Sequence, residues 1–170
     1  MIPNRRTAKW TLPAGAVLAM VLQACTPEQA TLVSAVADPR VSREQEQELR
    51  ASREQWEGAG VADYRYTVRR TCVCERDVAG PVLVEVREGR TVSVTPVERG
   101  VELRREAFDS LDNFRELFSY VEVALNGEHE VLAAEYDSRW GYPVSLYVDP
   151  RRGEIEDERG FVVEWFEPLR

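Results

Sequence analysis

The sequence predicts an α+β fold, in which an antiparallel sheet of about six strands carries a helix packed on one face, plus an N-terminal helix. Short segments of alternating apolar and polar residues indicate the strands, and one segment with apolar residues three and four apart indicates the packed helix. The connections are short and rich in glycine and proline, so neighbouring strands are expected to be antiparallel. A chain of 170 residues can form one domain with its own core.

Residues 1–24 have the pattern of a secretory signal peptide. Three basic residues precede an apolar run that ends at Leu22, and this run is too short for a spanning helix, which needs about 20 apolar residues. The Ala24-Cys25 junction resembles the cleavage site of bacterial lipoproteins, where acyl chains such as palmitate are attached to the cysteine that becomes the new N-terminus. We expect lipidation at Cys25; an ordinary secretory signal cut nearby is the alternative.

A lipid on Cys25 would place the protein in the bacterial cell envelope. The residue after the cysteine is Thr26, whereas in the sorting systems that this signal resembles an aspartate there would favour retention in the inner membrane. We therefore expect the outer membrane, with the domain facing the periplasm, and keep the inner membrane or the cell surface as the alternative. Two or three acyl chains hold a soluble domain firmly, so the anchor is the only membrane contact expected.

The segment after Cys25 is rich in alanine, serine, threonine and proline, and it lacks periodicity as far as Pro39. This composition is typical of a tether. The predicted organisation is therefore a signal peptide over 1–24, a lipidated cysteine with a flexible tether over 25–41, and a single domain over 42–170.

The first predicted helix begins at Ser42–Gln45, which has the form of a capping box. The charged run that follows places Leu49 and Trp56 two turns apart on one face, so the helix is expected to dock through these two side chains alone. The segment Gly58–Gly60 predicts its end.

The first predicted strand contains Tyr64, Tyr66 and Val68, which alternate with polar residues. Side chains two apart point to the same face of a strand. Cys72 and Cys74 are therefore expected to continue the apolar face of this strand.

A β-hairpin is predicted over residues 81–97. Valines alternate with polar residues on both sides of Glu88-Gly89, which has the composition of a tight turn. Pro96 is expected to end the pairing.

The strongest predicted helix runs from Asp112 to Leu125, where apolar residues recur at helical spacing from Phe114 onward. Asp112 is expected to cap its N-terminus, and Asn126-Gly127 to end it. The remaining segments with strand patterns are Glu130 to Tyr136, Val144 to Asp149, and Phe161 to Phe166.

The charge of the chain argues against binding nucleic acid. The formal net charge is −8, and the three basic residues of the signal segment leave the rest of the chain at −11. An acidic domain repels phosphate backbones and anionic lipid surfaces. Lys9 is the only lysine in the chain, so chemistry that uses a lysine nucleophile is excluded from the domain.

Cys72 and Cys74 are expected to form a disulfide, because removing Cys25 from an odd count of three cysteines leaves a pair in an oxidising compartment. On an extended strand their Cα atoms would lie near the upper limit for a disulfide, so a local turn is needed. Two buried or modified thiols are one alternative. A redox-active pair is another, since Arg69 and Arg70 lie close in sequence.

Five residues near one predicted hairpin end have the composition of a recognition surface: Asp137, Arg139, Trp140, Tyr142 and Asp149. Aromatic rings, a cation and two carboxylates can bind a partner. A structural interpretation competes, in which the aspartate caps the turn and the aromatic rings cover the sheet edge. The second interpretation is the stronger one.

No metal, cofactor or catalytic residue is predicted. Glu154, Glu156, Asp157 and Glu158 form an acidic turn without the spaced oxygen ligands and glycine of a calcium loop. His129 with the two cysteines lacks the paired spacing of a zinc site, and no nucleophilic serine accompanies it. A glycosidase pair cannot be selected among so many carboxylates.

Several short motifs, in order along residues 45–168, resemble the bacterial lipoprotein family known as domain of unknown function 6174. They are Tyr64-Arg-Tyr66, Cys72-Val-Cys74, Val84-Glu-Val86 before Gly89, Leu117-Phe118, Tyr136-Asp137, Gly141-Tyr142-Pro143, Asp149, and Asp157-Glu-Arg-Gly160-Phe161. The resemblance implies an exported, usually lipid-anchored small domain and carries no established activity.

The hypothesis that agrees with these observations is a lipid-anchored envelope protein whose domain binds or scaffolds an unidentified envelope protein or ligand without catalysis. The alternative is a thiol-dependent envelope redox enzyme that uses Cys72 and Cys74. The two differ in whether the cysteine pair reacts with thiols in the native state.

Overall fold

The structure is a computed structural model that describes residues 39–169. The predicted signal peptide, Cys25 and most of the predicted tether lie outside these residues. Within the described range, no helix is both long enough and apolar enough to cross a bilayer.

The described chain contains helices, strands and two short 3₁₀ segments in mixed order. The helices are α1 (Pro39–Ala59), α2 (Arg76–Ala79) and α3 (Phe114–Leu125). The strands are β1 (Tyr64–Thr71), β2 (Val82–Arg87), β3 (Arg90–Pro96), β4 (Val131–Tyr136), β5 (Pro143–Asp149) and β6 (Arg159–Pro168). The 3₁₀ segments are Arg105–Leu111 and Ile155–Asp157.

The strands form one six-stranded sheet in the order β3-β2-β1-β6-β5-β4. Every neighbouring pair is antiparallel, so the predicted α+β fold is confirmed. The chain returns at its end to place β6 between β1 and β5. On β1 and β2 the buried side chains alternate with less buried ones, which means that one face of the sheet lies under the helices and the other faces outward.

The predicted hairpin over 81–97 is confirmed by β2 and β3. Glu88 and Gly89 both have positive φ, 51° and 70°, as the two central residues of a type I′ turn require. This turn matches the twist of the flanking strands, so the register Arg87 opposite Arg90 follows directly from it.

Helix α3 ends at Leu125 as predicted, but it begins at Phe114, and its N-cap is Asn113 and not Asp112. The Asn113 side-chain oxygen accepts a hydrogen bond from the Glu116 backbone N–H at 3.0 Å. Asp112 instead accepts from Arg105 at 3.2 Å. Both residue types are good caps, so their sequence preference could not decide between neighbours.

Helix α1 begins at Pro39, before the predicted cap, and Ser42 therefore lies inside the helix. It ends at Ala59, where Gly60 adopts a φ of 64°, as the sequence predicts. Leu49 is buried and Trp56 packs against the core as expected, but Ser52 is buried as well. Docking through two side chains alone is therefore wrong.

The core is an aromatic cluster with Phe114 at its centre. The Phe114 ring stacks on Tyr142 at a centroid distance of 4.6 Å and on Tyr64 at 4.9 Å, and the Trp56 ring meets it edge-on at 4.8 Å. The Tyr64 hydroxyl accepts a hydrogen bond from the Phe114 backbone N–H at 3.1 Å. Burial raises the pKa of Tyr64 to about 12. Residues from α1, α3, β1 and the turn before β5 thus meet in one cluster.

Candidate functional site

The turn between β4 and β5 is held by Asp137. Its carboxylate accepts hydrogen bonds from the backbone N–H groups of Arg139 at 2.9 Å and Trp140 at 2.7 Å. The Arg139 guanidinium lies 4.8 Å from the centre of the Trp140 ring. Asp137 is therefore engaged with its own turn, as an aspartate that stabilises a loop would be.

The same turn docks helix α1 onto the sheet. Gly141 has a φ of 83° and lies against the backbone of Ser52, where a Cβ atom would overlap with the Ser52 carbonyl oxygen. Gln55 donates a hydrogen bond to the Ser138 carbonyl at 3.0 Å. Tyr142 is buried, and burial together with the nearby Asp137 carboxylate raises its pKa to about 12. These contacts are those of a structural element.

Asp149 lies at the far end of β5 from Tyr142. It is buried, pairs with Val131 across the sheet, and accepts a hydrogen bond from the Arg151 backbone N–H at 3.0 Å. The structure therefore brings four of the five predicted recognition residues together and leaves Asp149 apart.

Arg151 pairs with two carboxylates of the acidic turn that follows β5. Arg151 lies 2.9 Å from Asp157 and 2.7 Å from Glu154, and these carboxylates raise its pKa. The Nδ1 atom of His129 lies 3.1 Å from the Gly127 carbonyl oxygen. Over residues 39–169, no three or more His, Cys, Asp and Glu side chains are grouped so as to hold a metal ion.

Cys72 and Cys74 are disulfide-bonded, with their Cα atoms 5.3 Å apart. Strand β1 ends at Thr71, so the cysteines lie in the turn after it. Cys72 is half-buried and Cys74 is exposed. The expectation that they continue the buried face of β1 is therefore wrong, because the turn that joins them also takes them off the strand.

The outward face of the sheet carries three exposed apolar side chains, which we call the open-face patch: Tyr147, Val162 and Trp165. Their exposed fractions are 37%, 37% and 46%. Tyr147 comes from β5, while Val162 and Trp165 come from β6. Alternation assigns Tyr147 and Val162 to the solvent side of their strands, where an apolar residue carries no signal of its own. Trp165 alternates in step with the buried Phe161 and Val163, and it faces outward because the pairing with β1 shifts by one residue at Glu164. Sequence analysis missed all three for these reasons.

Strand register places the patch beside the centre of the sheet. Trp165 is opposite Thr67 on β1, and Val162 is opposite both Arg69 on β1 and Ser145 on β5. Directly opposed residues on antiparallel strands share a face. The patch thus extends across the outward faces of β5 and β6 towards β1.

Paired charges border the open-face patch. Arg69 forms an ion pair with Glu164 beside it. Further along, Glu85 accepts from Arg87 at 2.8 Å and from Arg65 at 3.1 Å, and these arginines lower its pKa. The border is therefore polar, with opposite charges side by side.

A small cavity of about 160 Å³ connects the patch to the disulfide. Tyr147 lines it together with Thr71, which ends β1, and with Cys72 and Val73 from the turn that follows. Glu158 and Arg159 complete the lining. Val73, between the two cysteines, is itself strongly exposed. The disulfide turn is therefore next to the outward apolar side chains.

Comparison with known proteins identifies a family and no activity. Residues 48–168 match the model of DUF6174, a family of unknown function. No curated protein and no solved structure matches the chain. Since the match covers nearly all of the described domain, the chain belongs to the family of unknown function DUF6174.

Proposed function

We propose that this protein is a lipid-anchored component of the bacterial cell envelope whose domain binds another envelope protein through the open face of its sheet, without catalysing a reaction. The observation that carries the proposal is the open-face patch. Tyr147, Val162 and Trp165 expose apolar surface on the neighbouring strands β5 and β6. Contiguous exposed apolar surface with a polar rim is typical of protein interaction sites.

The chemistry of the patch suits a protein partner. Tryptophan and tyrosine dominate binding energy at interfaces because they bury large area and lose few rotamers. The arginine–carboxylate pairs around the patch are already satisfied in the free domain, so a partner can cover the apolar centre without leaving those charges unpaired.

The proposed cellular location follows from the N-terminal segment of the sequence. Cys25 follows a signal peptide pattern, and the acidic domain that follows it has no affinity of its own for anionic lipid surfaces. The proposed location is the outer membrane with the domain facing the periplasm, and the inner membrane or the cell surface is the alternative. Acylation of Cys25 supplies the membrane attachment.

Replacing Cys25 by serine is expected to move the protein from the membrane fraction to the soluble periplasmic fraction, because the acylated sulfur is lost. Fractionation followed by immunoblotting measures the change. The matched control replaces Cys72 and Cys74 together by serine and should leave the protein in the membrane. Retention of the Cys25→Ser protein in the membrane would rule out the anchor.

A photoreactive benzoylphenylalanine in place of Trp165 or Val162 is expected to form a covalent adduct with one envelope protein in intact cells, because both side chains would lie inside the interface. The same group in place of Val123, which is 70% exposed on α3, should not form that adduct. Gel electrophoresis and mass spectrometry identify the product.

The protein found in the adduct must then bind the purified full-length chain directly. Trp165→Arg should weaken this binding by at least about tenfold, as expected for an aromatic residue at the centre of an interface. Adducts of equal yield from Trp165 and Val123, or unchanged affinity of Trp165→Arg, would refute binding through the open face.

Thiol exchange at Cys72 and Cys74 is a second candidate function. The observation in its favour is that Cys74 is exposed and its partner Cys72 lines the same cavity as Tyr147, so a partner thiol docked on the open face would be within reach. A partner thiolate would attack one sulfur, release the other as thiolate, and leave a mixed disulfide. The same gels, run without reductant, show such a species as an adduct that forms without light and disappears on reduction.

A further inference from the structure

A second surface, remote from the open face, lies between α1 and α3. The two helices are joined by the Arg53–Glu122 ion pair at 2.7 Å, and the Arg53 guanidinium also lies 5.5 Å from the centre of the Phe118 ring. Arg53 borders two cavities, one on each side of this pair. We call the two cavities together the α1–α3 groove.

Two apolar side chains line each cavity, and we call these four side chains the floor of the groove. The larger cavity, about 490 Å³, is lined by Leu49 and Leu125. The smaller one, about 330 Å³, is lined by Trp56 and Phe118. Both volumes fall in or near the range of cavities that hold ligand groups. The floor thus provides two separate positions for apolar side chains from a partner.

The rim of the larger cavity is acidic. Glu46, Glu54 and Glu57 line it in addition to Glu122. None of these first three carboxylates forms an ion pair within the part of the chain that the structure describes. Arg50 is the only cation there besides Arg53, which already pairs with Glu122. The local charge is therefore negative, like that of the domain.

We propose that the α1–α3 groove binds a basic amphipathic helix of a partner protein. Between Glu46 and Trp56 the groove follows α1 for about 15 Å at about 1.5 Å per residue, which is roughly three helical turns. A helix of that length can place one apolar side chain in each cavity, with the spacing that helix-in-groove recognition uses. Its lysines or arginines would then face Glu46, Glu54 and Glu57.

The acidic rim of the groove favours a basic helix over a second copy of this domain and over nucleic acid. A second copy of this domain would bring its own acidic α1 rim against the groove, and like charges juxtaposed in an interface oppose association. Nucleic acid is repelled for the same reason. The acidic domain also attracts a basic partner over distance and raises its association rate.

Binding of synthetic peptides to the purified full-length protein tests the proposal by titration calorimetry at low salt. The probe is a peptide of about four turns with leucines on one face and lysines on the other. One control peptide has the same composition in scrambled order, and another has glutamate in place of every lysine. Only the amphipathic lysine peptide is expected to bind, because it alone can place leucines against the floor of the groove and lysines against the glutamates of the rim at the same time.

Two matched protein variants separate the groove from the overall charge. Glu54→Gln with Glu57→Gln is expected to weaken peptide binding by about tenfold, as the loss of two partly screened charge contacts implies. Glu88→Gln with Glu102→Gln removes the same charge at exposed positions outside the lining of the groove and should change binding by less than about twofold.

Equal weakening by the two variants would show that net charge alone attracts the peptide, and it would overturn the groove as a site. Equal binding of the scrambled peptide would overturn the helical occupant, and absence of binding by the amphipathic peptide would overturn the proposal as a whole. None of these results depends on the open face, because Trp165 and Val162 line neither cavity.

Discussion

Replacing Phe114 by alanine is expected to lower the free energy of unfolding by about 3–5 kcal/mol, as removal of a buried phenylalanine typically does. The Phe114 ring is inaccessible to solvent. It is stacked between Tyr142 and Tyr64, with Trp56 against its edge. Because these neighbours come from the turn before β5, from β1 and from α1, which are held in place by separate contacts, they cannot all collapse into the cavity that the change would leave.

Urea-induced unfolding, followed by circular dichroism, measures the effect. The matched control is Val123→Ala in the same helix, where the side chain is 70% exposed and the change should stay within about 0.5 kcal/mol. A loss below about 1 kcal/mol for Phe114→Ala would mean that the aromatic cluster does not organise the core.

Local patterns were sufficient to predict the sheet and its helix. Alternation in β1 and β2, and helical spacing in α3, each show which face of the element is apolar. A strand or helix is stabilised when this apolar face is buried against the core, so the local pattern is enough to predict it. The sequence between 98 and 113 has no such period. In its 3₁₀ segment Arg105–Leu111, the side chains of Phe108 and Leu111 are buried. The Leu111 carbonyl also accepts a hydrogen bond from the Tyr66 hydroxyl at 2.5 Å. The segment therefore depends on contacts with residues distant in sequence.

The candidate sites could not be predicted as well from local sequence patterns. The composition at Asp137 to Tyr142 fits both recognition and structure, with structure the stronger interpretation, and the contact of Gly141 with Ser52 shows the turn engaged with α1. The open-face patch depends on strand order, which pairs Trp165 with Thr67 and Val162 with Arg69. Strand order is a property of the whole fold, so a local pattern cannot report it.

Replacing Gly160 by alanine is expected to destabilise the domain by about 4 kcal/mol or more, which only a severe packing conflict produces. A Cβ atom at this position would overlap with the Leu146 carbonyl oxygen of β5 and would lie 2.8 Å from Thr71 Oγ1 of β1. Both neighbours are fixed by strand pairing with β6, so relief requires breaking part of the sheet. Thermal and urea unfolding measure the loss.

Gly58→Ala is the matched control, since Gly58 lies in α1 with no atom within 4 Å of an added Cβ. Alanine should stabilise the helix there by about 0.5–1 kcal/mol. The same change from glycine to alanine is expected to lower the free energy of unfolding at position 160 and to raise it at position 58. The pair of variants therefore tests the strand order. The collision at Gly160 exists only if β6 lies between β1 and β5, and this insertion also places Val162 and Trp165 beside β1. Equal effects of the two substitutions would therefore contradict the strand order on which the open-face patch depends.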